Sequence, residues 1–517
     1  MSHFNLIHEK WIPVRYLNGT RGELGIRDTL LQLKEIAGIE DPSPLVVAAL
    51  HRFLLAILYR ALEGPTDRNE AIALFKNGLP AEKVTGYLDK WRNRFWLFDG
   101  KYPFYQVPGY EPKDEKGKEK WRPWLALAAE HNADNAKVLF DHMEISQAGM
   151  IPSGKAARLL IACQTFALGG GNSDFQYTKS GPSATAAMVI PLGMDLFDTL
   201  TFSLVPQNRE IFQNDIPIWE REPESLSSLQ KGIERTVLGW ADLYSWRTRS
   251  IKLNLHQGGL AMGELLFASG VACSSKDYID PMFAYKINEK KGIVPIHFRE
   301  RGLWRDFDSL LPHGSDPAPL VIEHATALGR SNRKRFPRSI IVLGQSNNKA
   351  KIEYWRMERF TLPEALLEDQ TIRIKIRELL EEAEKAQRAL WMACRSYARY
   401  LLSRGDRVPT GRDISALVEQ MPATSWYWSS LETRFHEILL NYTLGSDPDN
   451  IRYQWLKSIR NILSAAWEQH AASASIGNAW AIRALVNSEG FVLGKIKELN
   501  ETIKKLEPNL YSTKEVA

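Results

Sequence analysis

Residues 361–400 read TLPEALLEDQTIRIKIRELLEEAEKAQRALWMACRSYARY. Within them Ile372, Ile376, Leu379, Ala383, Ala386, Leu390, Ala393, Tyr397 and Tyr400 follow one another by four and three in turn. That spacing is a seam along which one helix packs lengthwise against its neighbours. Thr361-Leu362-Pro363-Glu364 has the spacing of a capping box, so the helix is expected to start there. Further helical segments are expected at about 415–420, 425–444, 451–472 and 479–506. Short connections between long helices favour antiparallel neighbours, so residues 361–517 read as a C-terminal helical bundle.

Upstream of residue 360 the pattern changes to short β-favouring runs, helices and many Gly/Pro turns. Residues 4–14, 186–190 and 340–343 read as strands, and 156–166 as a helix. The expected fold class is therefore α+β: a large mixed α/β N-terminal domain over 1–360, then the all-α bundle. A chain of 517 residues is too long for one core, and two domains are the default. The most apolar stretch, Leu45 to Leu62, holds His51, Arg52 and Arg60, which a membrane span tolerates poorly. It reads as a buried helix capped by Ser43, with Pro44 at its first position and Gly64-Pro65 ending it. No membrane association is expected.

The sequence offers little that points to catalysis. Eleven histidines are scattered without HExxH or HxH, and Glu323-His324 lacks a third ligand nearby. There is no GxxxxGK[ST] loop and no GxSxG elbow. The triple glycine at 169–171 follows a helix, not a strand, so it is no dinucleotide fingerprint. Cys163, Cys273 and Cys394 are far apart, which excludes a disulfide framework and a cysteine-rich zinc site and fits a reducing cytoplasm. Residues 1–10 carry no basic segment followed by an apolar run, so no signal peptide is expected. The reading is a cytoplasmic protein that is not an enzyme and needs neither metal nor cofactor.

Three stretches suit nucleic acid, each with a plainer explanation beside it. Gly169, Gly170 and Gly171, followed by Asn172-Ser173, let backbone approach a groove or phosphate closely, although a flexible surface loop has the same composition. Gly344 to Lys351, just after a β run, sets amides beside lysines, as does a simple hairpin turn. Arg330, Arg333, Lys334, Arg335 and Arg338 place five cations in nine residues. They suit a phosphate track, but most charge runs are solvated faces. The net charge of +5 permits a local basic surface without demanding one.

Taken in order, the motifs Asn5-Leu6-Ile7, Trp11-Ile12-Pro13-Val14-Arg15, Tyr102-Pro103-Phe104-Tyr105-Gln106, Leu139-Phe140-Asp141-His142, the triple glycine, Gly302-Leu303-Trp304-Arg305-Asp306 and Gly344 to Ile352 resemble the CasA family. Its members are the large subunits of type I-E CRISPR Cascade complexes. The resemblance implies a four-helix bundle for the C-terminal domain and a place in an RNA-guided antiviral complex. In it this chain reads the protospacer-adjacent motif (PAM) in double-stranded DNA, promotes duplex opening and R-loop formation, and helps recruit a helicase–nuclease. The implied partners are crRNA, target DNA, the helicase–nuclease, and the backbone, small and handle-binding subunits.

By position, Phe140, Asp141 and His142 resemble the loop that docks the crRNA handle and neighbouring subunits, although the residues after Phe140 depart from the family pattern. Gly169, Gly170 and Gly171 resemble the glycine loop along the PAM minor groove. Asn348, Lys349 and Ala350 resemble the wedge beside the PAM, with Lys349 where Gln is common. The family's lysine finger falls across an insertion in this chain, where Lys290 or Lys291 takes its place. Two alternatives stand against this reading: a metal-dependent nuclease on the mixed domain, and a purely structural helical scaffold.

Overall fold

The structure, a computed structural model, describes residues 3–111, 113, 117–128, 149–169, 175–176, 179–256, 261–274, 278–297, 302–311, 317–348, 351–403, 408–474 and 479–512. For residues 347–348, 351–354 and 508–512 it describes the backbone alone. The chain divides into two compact units, Met1–Glu300 with Pro312–Arg359, and Arg301–Leu311 with Phe360–Ala517. The first is mixed α/β and the second is helical, so the class is α+β.

The first unit is built round the helix Pro44–Leu62. Ser43 Oγ accepts the Val46 N–H at 3.4 Å, and nearly every residue of the helix is buried. It is long and apolar enough to cross a membrane, but 94% of its apolar window lies inside the fold. Its polar residues find partners within the unit, and Arg60 pairs with Glu220 at 2.8 Å. Arg52 pairs with Asp280 at 2.7 Å and donates to Ser183 Oγ at 2.9 Å, while His51 Nδ1 lies 2.7 Å from the Val47 carbonyl.

Small sheets surround this helix. One has the order Arg21–Leu24, Ile12–Tyr16, Ile36–Ile39; another Arg249–Leu255, Ala261–Ser269, Arg122–Pro123; a third Lys351–Thr361, Ser339–Asn348, Met188–Leu192. The third runs Ser339 opposite Leu192, Ile341 opposite Ile190 and Leu343 opposite Met188, antiparallel.

In the second unit four long helices, Gln370–Ser403, Ala423–Thr443, Pro448–Ala474 and Gly490–Ser512, form a bundle. The seam from Ile376 to Tyr397 is buried, whereas Tyr400 is exposed. Three local expectations are corrected. Thr361 ends the strand Lys351–Thr361 and caps nothing; the helix Glu364–Glu368 starts from Pro363 without a side-chain cap. The long helix starts instead where Asp369 Oδ1 accepts the Thr371 N–H at 2.7 Å. The segment expected to run from 479 to 506 is broken at Asn487–Glu489 into Ala479–Val486 and Gly490–Ser512.

Residues Arg301–Leu311, expected before the boundary at 360, belong to the helical unit. Trp304 explains this. Its buried ring lies 5.5, 5.2 and 6.5 Å from those of Trp428, Phe435 and Trp455, a larger apolar contact than an exposed turn retains. Arg305 pairs with Glu384 at 2.6 Å and stacks on Trp428, and Asp308 meets Arg373 at 3.2 Å and Arg377 at 3.1 Å.

Candidate nucleic-acid interface

The glycine-rich stretch begins where the helix Ser153–Phe166 ends. The last carbonyls of a helix have no partner within it. Here Thr248 Oγ1 donates to the Gln164 carbonyl at 2.6 Å, the Ala167 N–H to that of Cys163 at 2.9 Å, and Gln345 Nε2 to that of Phe166 at 2.6 Å. The two ends of the stretch are then held together. Gly169 N–H donates to Ser180 Oγ at 2.7 Å and Gly181 N–H to the Ala167 carbonyl at 2.8 Å. A Cβ on Gly181 would stand 2.9 Å from the Thr165 carbonyl, so only glycine permits this approach.

Arg249 completes the closure. Its guanidinium donates to the carbonyls of Leu168, Lys179 (3.0 Å) and Thr248 (2.9 Å). The side chain is buried, and burial lowers its pKa. Gly169 is thereby placed; Gly170 and Gly171 lie outside the described residues.

The stretch from Gly344 continues the β run before it: Ser339–Asn348 stays extended through Asn348. Alternation along the strand turns Gln345 inward, fully buried, so it is not free to bond a base. Its Nε2 donates both to the Phe166 carbonyl and, at 2.8 Å, to the Ala184 carbonyl. The strand carrying Asn348 is thus tied directly to both flanks of the glycine stretch. Asn348 is described as backbone only; Lys349 and Ala350, between this strand and the next, lie outside the described residues, as do Phe140, Asp141 and His142.

Lys290 and Lys291 sit at the tip of a hairpin formed by Tyr285–Asn288 and Gly292–Pro295. Asn288 Oδ1 accepts both their N–H groups, at 3.0 and 3.1 Å, and Gly292 supplies a positive φ of 70°. Both lysines are exposed. The root of the hairpin bonds the same hub: Ala187 N–H to the Ile296 carbonyl at 2.8 Å, Val189 N–H to that of Met282 at 2.7 Å. Residues 184–192 therefore receive the glycine stretch, the lysine hairpin and the strand Ser339–Asn348 together.

The basic run does not act as one. Arg335 points inward, paired with the buried Asp198 and stacked over Phe75 and Phe197 at 4.0 and 4.9 Å; it is removed from the expected phosphate track. The neighbouring Phe336 is buried, packed where Gly329 leaves room. Arg330, Arg333, Lys334 and Arg338 are not buried. Among the described residues no group of three or more His, Cys, Asp and Glu is placed to hold a metal. His324 of the Glu323-His324 pair is buried, which lowers its pKa to about 4.

Sequence reasoning missed Arg249 and Gln345 as positioning residues. Gln345 was visible only as an amide in a polar run, and Arg249 carries no local pattern at all.

The model of the CRISPR-associated protein Cse1 family matches residues 5–466. The CRISPR-associated protein CasA/Cse1 of Thermus thermophilus is 32% identical over 515 residues, covering 96% of this chain and 99% of that protein. A crystal structure of Thermus thermophilus CasA matches with a TM-score of 0.82 at 30% identity, covering 96% of this chain and 100% of that one. Thermobifida fusca Cse1 shares the fold, with a TM-score of 0.75 at 21% identity over 97% of this chain and 98% of that one. The chain belongs to the Cse1 (CasA) family of CRISPR-associated proteins.

Proposed function

We propose that this protein is the non-catalytic large subunit of an RNA-guided Cascade complex, and that it recognises the PAM in double-stranded DNA. It would then promote duplex opening and R-loop formation and help recruit the helicase–nuclease. One observation carries the reading: Gln345 ties the strand leading to Asn348, Lys349 and Ala350 to both flanks of the Gly169–Gly171 stretch. A side-chain-free backbone and an amide-and-lysine finger rooted in one frame suit a minor groove. Its degenerate pattern of acceptors is met by close approach and a few donors, while base pairing to a guide reads the rest. The lysine hairpin, rooted in the same segment, suits the phosphates.

The expected partners are crRNA, target duplex, the backbone, small and handle-binding subunits and the helicase–nuclease, in the cytoplasm. Phe140, Asp141 and His142 are assigned to handle docking by resemblance alone. A metal-dependent nuclease would need a ligand cluster, and none of the described side chains forms one. The test is binding of the assembled complex to duplexes that differ only in the motif beside the guide-matched sequence. Lys349→Ala and Gly170→Val are expected to abolish the discrimination. Discrimination that survives both, or steady cleavage by the pure protein with magnesium or manganese, refutes the reading.

A further inference from the structure

The apolar helix Pro44–Leu62 holds a charge that its surroundings do not require. Arg52, near its middle, is fully buried, and so is Asp280, with which it pairs at 2.7 Å. Taking two charges out of water costs about as much as their attraction returns, so a well-packed apolar pair would hold the core as well. Nor do the surroundings complete the pair. Arg52 Nε makes no hydrogen bond, and the guanidinium lies over the Tyr244 ring, 4.1 Å from its centre. Burial pushes the Asp280 carboxyl up in pKa, and the Arg52 charge beside it draws it back. The two charges therefore add little to stability; fixing register is the better-founded use of a buried polar pair.

Its bonds show what it registers. Arg52 Nη2 donates at 2.9 Å to the hydroxyl of Ser183, two residues beyond Gly181, where the glycine stretch closes. Asp280 Oδ1 accepts the Met282 N–H at 3.0 Å, and the Met282 carbonyl accepts the Val189 N–H. The Asp280 N–H donates at 2.7 Å to the hydroxyl of Tyr285, which begins the first strand of the lysine hairpin. Two residues before Asp280, the Tyr278 hydroxyl donates to the Pro182 carbonyl at 3.1 Å. One guanidinium on a buried helix thus holds the far flank of the glycine stretch directly. Through Asp280 it also holds the root of the hairpin that carries Lys290 and Lys291.

We propose, resting on the function given above, that Arg52 and Asp280 are positioning residues for motif recognition. They set the lysine hairpin against the glycine stretch and so decide how strictly the duplex is read. Apolar packing would let the two segments slide, whereas a guanidinium donates to a carboxylate and a hydroxyl only along fixed directions. Being buried, the pair acts through the lysines and the glycine backbone and never touches the duplex. A displaced hairpin loses its place in the groove but keeps its charges. Affinity for the motif should then fall while affinity for duplex of any sequence does not.

The test is binding of the assembled complex to duplexes with and without the motif, below the melting temperature of every variant. Arg52→Met with Asp280→Asn removes both charges, while the asparagine carbonyl can still accept the Met282 N–H. Affinity for the motif-bearing duplex should fall about tenfold, the worth of one charge-assisted bond, with affinity for the other duplex unchanged. Ser183→Ala and Tyr285→Phe cut the two links one at a time and leave the ion pair intact. Each should lose part of the same discrimination, which keeps the test decisive if the double variant does not fold. Equal losses on both duplexes mark general loosening of the fold and overturn the inference. Folded variants that discriminate as well as a discriminating parent overturn it alone. A parent complex that does not discriminate overturns the proposed function, and this inference with it.

Discussion

Replacing Gln345 tests whether the glycine stretch and the strand before Lys349 act as one frame. The amide is fully buried and its Nε2 serves two carbonyls, at 2.6 and 2.8 Å. Gln345→Leu keeps the approximate size and orphans both carbonyls, each costing about 1–3 kcal/mol. It also removes the amide's own buried oxygen, which has no partner, and this offsets part of the loss. The net expectation is about 2–4 kcal/mol in the first unit. The first unit spans Met1–Glu300 and Pro312–Arg359; at about 2.1 cal/mol/K per residue it shifts by roughly 1.4 °C per kcal/mol, so the melting temperature should fall by roughly 3–6 °C.

Gln345→Glu should be worse at neutral pH, because a buried carboxylate would face two carbonyl oxygens. Since burial raises a carboxyl pKa, that variant should recover stability as pH falls. Differential scanning calorimetry gives the stability, and motif discrimination by the assembled complex, measured below both melting temperatures, gives the function. Both should fall together. A Gln345→Leu protein that melts within about 1 °C of the parent contradicts the energetic argument. One that melts low but keeps full discrimination contradicts the claim that the bond aligns the two stretches.

Other outcomes follow from single side chains. Arg335→Ala leaves Asp198 buried without its cation and should cost about 3 kcal/mol, whereas Lys334→Ala with Arg338→Ala should leave the melting temperature within about 1 °C and weaken duplex binding. Calorimetry and a gel-shift titration separate the two effects. Lys290→Ala with Lys291→Ala should lower the slope of log affinity against log salt by up to about 2, since each phosphate that is no longer neutralised removes about 0.9; an unchanged slope removes the hairpin from the interface.

His51 and His324 are buried with pKa lowered from 6.5 to about 4. The unfolded chain therefore takes up the protons first. Stability is full above pH 6.5 and falls as pH drops from 6.5 towards 4, by about 2 kcal/mol per histidine at pH 5. Urea titrations at pH 7 and 5 should register this loss, and His51→Gln with His324→Gln should flatten the dependence.

Periodicity alone revealed the bundle, because residues spaced by three and four must share one helix face whatever surrounds them. The helix Pro44–Leu62 was equally legible from its cap, its first-position proline and its apolar run. Sequence order also carried the family likeness, from which the roles proposed for the Gly169–Gly171 stretch and Lys349 come. Tertiary structure decided the rest. That Trp304 belongs with the helices depends on three aromatic rings more than a hundred residues away. Arg335 leaves its basic run because Asp198, in another element, is buried beside it. Gln345 is a clamp, not a reader of bases, because strand alternation turns it towards carbonyls that lie 161 and 179 residues earlier in the chain. A local pattern fixes which face a residue occupies; only the packed fold determines what that face meets.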